Sequence, residues 1–293
     1  MTSRPRRVTS SETAPCLPST VHWRNSQNHH QILFWALLRR GLWRRWLAAW
    51  AWAGAGGSST KDSLDVLSFI RDNSSATPLA HLTCVGTTKN QARALVESFL
   101  AEGITDFLAL RGDLPEGSSE HHGELEHATD LIALIQESIG EPSGEEHIAV
   151  AAFPNGHPES QSLDHDIETL LAKQSLGATL AITQLFFFSS DYEHFVEKSR
   201  AAGVTIPILP GIMPVTSLGR LARVLELTGE KEPKGLASSL AACESAAQAH
   251  QVGIDWSANM VSELVEMGAP GIHLYAFNQH ATVLSVLEQA GVR

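Results

Sequence analysis

The residues of this 293-residue chain best able to do chemistry sit where short apolar runs stop. The segment Leu108-Ala-Leu-Arg-Gly-Asp-Leu-Pro-Glu-Gly117 leads an apolar strand into a guanidinium, a glycine and a carboxylate. Arg111 and Asp113 suit either of two roles: an ion pair closing a strand end, or an anion-facing arginine beside a carboxylate set at a reacting centre. As a cell-adhesion signal the Arg-Gly-Asp triplet would need an exposed loop tip, and a strand end is not one. A second segment, Ala151-Ala-Phe-Pro-Asn-Gly-His-Pro-Glu159, again runs from strand to loop and offers His157, held by Pro158 and followed by Glu159. Downstream, Asp166, Thr169, Leu170 and Lys173 recur at helical spacing on one stripe. That stripe suits a surface ion pair or a grip on the sugar and phosphate of an extended ligand. A third segment, Ala181-Ile-Thr-Gln-Leu-Phe-Phe-Phe188, buries the amide of Gln184 in an apolar strand, where it must find partners in the fold or in a substrate.

Six apolar runs carry these groups, near 79–84, 106–110, 147–153, 180–188, 206–213 and 271–277. Helical patterns with recognisable ends alternate with them. Thr88 precedes one closed by Gly103, and Asp191 precedes one closed by Gly203. Thr216 or Ser217 precedes a third closed by Gly229, and 252–267 forms another, followed by Gly268. Alternation of this kind implies parallel pairing, in a doubly wound open sheet or a closed barrel. No Gly-x-Gly-x-x-Gly follows a strand and no Walker-type loop is present, which leaves the open sheet without a nucleotide fingerprint. Polar residues gather at the strand ends instead: His81 and Thr83, Arg111 and Asp113, His157 and Glu159, Thr183 and Gln184, Tyr275 and Asn278. These form the active-site face of a (β/α)8 barrel, the expected fold.

Composition excludes other classes. A hydrophobic share of 43% with 18% charged residues rules out wholesale disorder, collagen and coiled coil. Cys16, Cys84 and Cys243 lie far apart, against a disulfide scaffold and in favour of a reducing compartment. The spacing of His121, His122 and His127 among acids and glycine reads as a solvated loop, so no metal is expected. A net charge of −11 argues against nucleic acid as a partner.

The charge is divided sharply. Residues 1–53 hold eight arginines and one acid, Glu12, with six of the seven tryptophans; residues 54–293 carry a net −18. Arg39, Arg40, Arg44 and Arg45 interrupt the apolar stretch at 31–53, which therefore is no membrane span. The chain is thus read as an atypical Arg/Trp-rich segment at 1–53, disordered or an artefact of the gene boundary, followed by a barrel domain at 54–293. A cytoplasmic location is expected; organellar targeting by residues 1–50 is the alternative.

Together the motifs resemble the methylenetetrahydrofolate reductase family. The resemblance rests on Pro78-Leu-Ala-His-Leu-Thr-Cys84, Arg111-Gly-Asp-Leu-Pro115, the 151–159 segment, Ala178-Thr-Leu-Ala-Ile-Thr-Gln184, Ile208-Leu-Pro-Gly-Ile-Met-Pro-Val215 and His273-Leu-Tyr-Ala-Phe-Asn278. It begins near Gly54 and runs to the C-terminus. It implies a (β/α)8 barrel with FAD as cofactor and NADH or NADPH as co-substrate, reducing 5,10-methylenetetrahydrofolate to 5-methyltetrahydrofolate. His81, Arg111, Gly112, Asp113, Ala128, Phe153, His157, Asp166 and Lys173 fall on its flavin-contacting positions. Asp113 falls on the carboxylate beside the flavin ring, and Gln184 on the residue that holds pterin or nicotinamide. Tyr275 is a further substrate-side residue, Leu240 stands where an aromatic stacks on those ligands, and a homo-oligomer is expected. The family's first strand, with the glutamate that acts as general acid on the folate, has no counterpart in 1–53. The rival expectation is therefore a catalytically impaired flavin- or folate-binding relative acting as a partner subunit.

Overall fold

A computed structural model describes residues 50–53, 60–74, 76–112, 123–141, 143–277 and 279–292. Strand and helix alternate through most of it. The order is β1 (Trp50–Ala53), α1 (Thr60–Asn73), β2 (Leu79–Thr83), α2 (Lys89–Ala101), β3 (Asp106–Leu110), α3 (Ala128–Ile139), β4 (His147–Ala152) and α4 (Leu163–Ser175). It continues with β5 (Leu180–Leu185), α5 (Ser189–Ala201), β6 (Ile208–Ile212), α6 (Leu218–Thr228), α7 (Lys234–Ala241), α8 (Ala246–Glu266), β7 (His273–Leu274) and α9 (His280–Gln289).

The six expected strands are all present, and β1 is a seventh. Trp50–Ala53 belong by composition to the atypical segment, yet they pair residue for residue with Leu79–Leu82 of β2. Residues 1–49 lie outside the described residues.

All pairings are parallel and the strands follow one another in chain order, β1 to β7. A doubly wound sheet must reverse its order at a switch point, and this one never does. With right-handed crossovers the connecting helices therefore all fall on one face of the sheet. The packing agrees. Ala80, Leu82, Phe107, Ala109, Ile148, Val150 and Ala181 join Phe99, Ile132, Ile135, Leu170 and Phe195 of the helices in one core. On the other face Leu79, Leu108, Ala149, Ile182 and Leu209, from five neighbouring strands, form a separate apolar layer. The described pairing ends at β1 on one side and β7 on the other.

Local chemistry sets the helix ends. Thr88 caps α2 reciprocally with Gln91, and Gly229 ends α6 in the left-handed conformation. Ser217, one of the two expected caps, accepts the Arg220 N–H. Two helices begin earlier than their patterns suggest. α5 starts at Ser189, with Asp191 in its first turn rather than at its cap, and α8 starts at Ala246 behind a Ser245–Gln248 capping box. Among the described residues, no helix is long and apolar enough to cross a membrane.

Candidate functional site

Because every strand runs the same way, their C-terminal ends share one rim, and the expected site residues are carried there. From β2, His81 is flanked in register by Trp52 and Leu108. Burial pushes its pKa down to about 4, which keeps the imidazole neutral near pH 7. Beyond β3, Gly112 adopts φ +87°, and a Cβ there would stand 3.0 Å from the Thr83 Cβ. This turn needs glycine. Arg111 forks onto Glu159: Nη2 donates to Oε1 at 3.0 Å, and Nη1 donates to Oε2. Asp113, His121, His122 and Asn278 lie outside the described residues.

The β4–α4 unit supplies most of the charge. Phe153 packs edge-on against the His157 ring, centroids 4.7 Å apart. The His157 backbone N–H donates to Asp166 Oδ2 at 3.1 Å, and the ring Nδ1 accepts the Glu159 N–H at 3.1 Å. His157 is thus tied into its loop on both sides. Lys173 is the least expected of these residues. It lies on α4 but is only 9% exposed, and its Nζ donates to the Ala151 carbonyl of β4 at 3.0 Å. Burial brings its pKa down to about 8, against an opposing pull from Asp166. The surface ion pair that the helical stripe allowed is thereby excluded. Thr169 turns its hydroxyl onto His165 of the same helix, and Leu170 belongs to the core, so only Asp166 and Lys173 of the stripe serve the rim. Ala128 begins α3 as a buried residue.

On β5–β7 the groups are neutral. β5 carries two residues, Thr183 and Gln184, between Ile182 and Leu185, where β6 carries only Pro210 between Leu209 and Gly211. This is a β-bulge, the device that re-aims a side chain next to a site. Gln184 is half-buried rather than buried, and its Oε1 accepts the Leu185 N–H at 2.9 Å, so the amide finds one partner in its own chain neighbour. Tyr275, just past β7, donates its hydroxyl to the Thr183 carbonyl at 3.2 Å. Burial raises the pKa of that phenol, which stays protonated. His273 meets Tyr275 edge-on at 4.3 Å and is held neutral by burial, its pKa near 3. Leu240 is buried in the cluster that also receives Tyr275.

The partnership of Arg111 with Glu159 and the roles of Thr183 and Gly211 were not assigned from sequence. A Pro-Gly pair inside an apolar strand was the available signal for the bulge. Among the described residues, no group of three or more His, Cys, Asp or Glu side chains is placed to hold a metal ion.

Residues 27–291 match the family described as methylenetetrahydrofolate reductase. The 5,10-methylenetetrahydrofolate reductase of Escherichia coli (strain K12) is 30% identical over 241 residues, covering 82% of this chain and 79% of that protein. A Caenorhabditis elegans protein named probable methylenetetrahydrofolate reductase (NADPH) is 34% identical over 216 residues, 73% of this chain but 32% of its own length. Zea mays methylenetetrahydrofolate reductase (NADH) 1 is 29% identical over 252 residues, covering 82% of this chain and 42% of the maize protein.

Proposed function

The chain belongs to the methylenetetrahydrofolate reductase family, and on that premise we propose an FAD-dependent oxidoreductase that reduces 5,10-methylenetetrahydrofolate to 5-methyltetrahydrofolate with NADH or NADPH. The observation that carries this reading is Lys173: a buried ammonium at the strand ends, with two of its three N–H groups unbonded to any described residue. A buried cation with spare donors calls for an anionic or oxygen-rich ligand, and a flavin dinucleotide is both.

The neighbouring residues fit such a group. Arg111 and Lys173 would meet its anionic parts, Asp166 its hydroxyls, and Phe153 an aromatic face. His81, Gly112, Ala128 and His157 would line it, and Asp113 would stand by the ring. Bound there, FAD would supply hydride transfer between the nicotinamide and the folate methylene carbon. Gln184 would hold the pterin or the nicotinamide, with Tyr275 beside it. The residues contribute binding and orientation; general acid chemistry must come from elsewhere, because Glu12 is the only acid in residues 1–53. Lack of a general acid typically slows a step ~10²–10⁴-fold, so folate reduction, not flavin reduction, is the weak step.

In this reading the seven-stranded sheet is completed to a (β/α)8 barrel by one further strand, the barrel domain takes in β1 (Trp50–Ala53) together with residues 54–293, and the protein works as a cytoplasmic homo-oligomer. The test is anaerobic absorbance of the flavin band, with NAD(P)H added first and 5,10-methylenetetrahydrofolate second. Rapid bleaching followed by slow reoxidation is the expected result. Bleaching alone would mark a flavin reductase with a broken folate step. Failure to take up FAD on reconstitution would overturn the proposal.

A further inference from the structure

Tyr275 looks at first like a substrate-side group, but its hydroxyl is already committed. It lies 92 residues along the chain from Thr183 and donates to that residue's carbonyl, the carbonyl of the peptide bond that leads into Gln184. The bulge explains why that carbonyl needs a donor. Two β5 residues face the single Pro210 of β6, and proline has no N–H to give. The ladder is broken there, and the next N–H along β6, that of Gly211, turns to the Thr183 hydroxyl at 2.8 Å instead. A carbonyl left bare in this position would carry a desolvation penalty. Tyr275 removes it from just past β7.

Gly211 makes the arrangement possible. A Cβ on this residue would stand 2.4 Å from the Thr183 oxygen and 3.0 Å from the Tyr275 ring. The Thr183–Gln184 peptide is therefore clamped on both sides, by β6 at the Thr183 hydroxyl and by Tyr275, just past β7, at the carbonyl. The outcome for Gln184 follows from donor and acceptor counting. Its Oε1 is occupied by the Leu185 N–H, and its Nε2 makes no hydrogen bond to a described residue. The fixed amide thus offers a donor, suited to a carbonyl oxygen such as that of a pterin or a carboxamide.

We infer that Tyr275 is a positioning residue: through the Thr183 carbonyl it holds the bulged peptide so that the Gln184 amide offers its N–H₂ to a ligand carbonyl. The inference rests on Gln184 being the ligand-holding amide of the proposed reductase. It differs from a direct substrate contact because Tyr275 acts only when Gln184 is present.

The test is a double-mutant cycle on the FAD-loaded protein, titrated anaerobically at pH 7 with folic acid, which carries the pterin carbonyl but no reducible methylene. Perturbation of the flavin band gives the dissociation constant. Gln184→Ala is expected to weaken binding about 10-fold or more, and Tyr275→Phe about 3- to 10-fold with FAD affinity unchanged. Adding Tyr275→Phe to Gln184→Ala should weaken binding no further. Thr183→Val should reproduce the Tyr275→Phe effect and Thr183→Ser should rescue it, which provides a second route if the tyrosine variant folds poorly. Wild-type binding by Tyr275→Phe, or full additivity of the two effects, would overturn the positioning role while leaving Gln184 in place. Wild-type binding by Gln184→Ala would overturn both the inference and the placement of Gln184 in the proposed site.

Discussion

The two halves of the rim are built on opposite principles. The β3–α4 side carries basic and acidic side chains: Lys173 buried against the Ala151 carbonyl, Asp166 fixed by the His157 N–H, and Arg111, just past β3, forked onto Glu159. The strands β5–β7 and Tyr275 just beyond them present an amide, two hydroxyls and peptide groups around a bulge, and the His273 imidazole is kept neutral. Charge is tolerated where a phosphorylated cofactor would compensate it. Neutral hydrogen bonds are used where a ligand carbonyl must be placed and then released. One side should therefore respond to pH, salt and charge deletion, and the other to steric and hydrogen-bond geometry.

The hardest test of that division is Lys173→Met. Deleting a desolvated charge that faces an anion costs about 2–5 kcal/mol, so FAD affinity should fall by roughly 30-fold or more. Quenching of flavin fluorescence on binding measures it. The same change removes a buried charge whose protonated form the fold disfavours, so the melting temperature of the flavin-free protein should hold or rise. A parallel fall in both would make Lys173 a structural residue and dissolve the contrast.

On the neutral side the corresponding test is steric. Gly211→Ala forces a Cβ against the Thr183 oxygen and the Tyr275 ring, and overpacking of this kind costs about 1–3 kcal/mol. Thermal denaturation should show the loss, while FAD affinity of the folded protein stays within a factor of about two or three. If FAD affinity falls as far as stability does, the two sides are one unit.

These differences were only partly legible in the sequence. Parallel strands with polar residues at their ends follow from run length and alternation, and the caps at Thr88 and Ser217 follow from residue type, because both depend on near neighbours. The burial of Lys173 does not. A stripe at i, i+3, i+4 and i+7 states which residues share a face but not which face the sheet covers. Nor could the bulge be placed from β5 alone, since it exists only against Pro210 on a strand 28 residues away from Thr183 through the Gly211 contact. β1 was hidden for a third reason. Its Trp-Ala-Trp-Ala lies in a segment whose overall composition is foreign to the rest, and only pairing with β2 reveals it as sheet.

The pH dependence sharpens the comparison further. The folded Lys173 pKa lies at about 8, below its ordinary 10.5, so the charged form is present below pH 8 and is lost above it. FAD affinity should be flat from pH 6 to 7.5 and then fall, by up to about tenfold per pH unit, because binding needs the ammonium. Lys173→Met should remove the dependence and Tyr275→Phe should keep it. In the absence of ligand the same shift works on stability: the depressed pKa penalises the folded state while lysine is charged, and the penalty eases as pH rises from 8 toward 10.5. Opposite pH trends for binding and for stability are thus the signature of this group. A profile unaffected by Lys173→Met would place the titrating group elsewhere.

The smallest effect is expected from Glu159→Gln. Its ion pair with Arg111 is well formed, but the Glu159 side chain is 59% exposed and the Arg111 side chain 26% exposed. Exposed pairs contribute about 0–1 kcal/mol and are screened by salt. Glutamine retains an oxygen that can accept from one arm of the guanidinium, so Arg111 keeps its direction. FAD affinity should change by less than about fivefold, and the difference from the parent should shrink between about 50 and 500 mM salt, as the screening length falls from roughly ten to a few ångströms. An increase in affinity would show that Glu159 competes with the cofactor for Arg111; a decrease would show that it steadies the arginine. A change above tenfold at high salt would mean that a solvent-exposed pair governs the charged side as strongly as buried Lys173, and burial would no longer separate the residues that bind from those that only border the site.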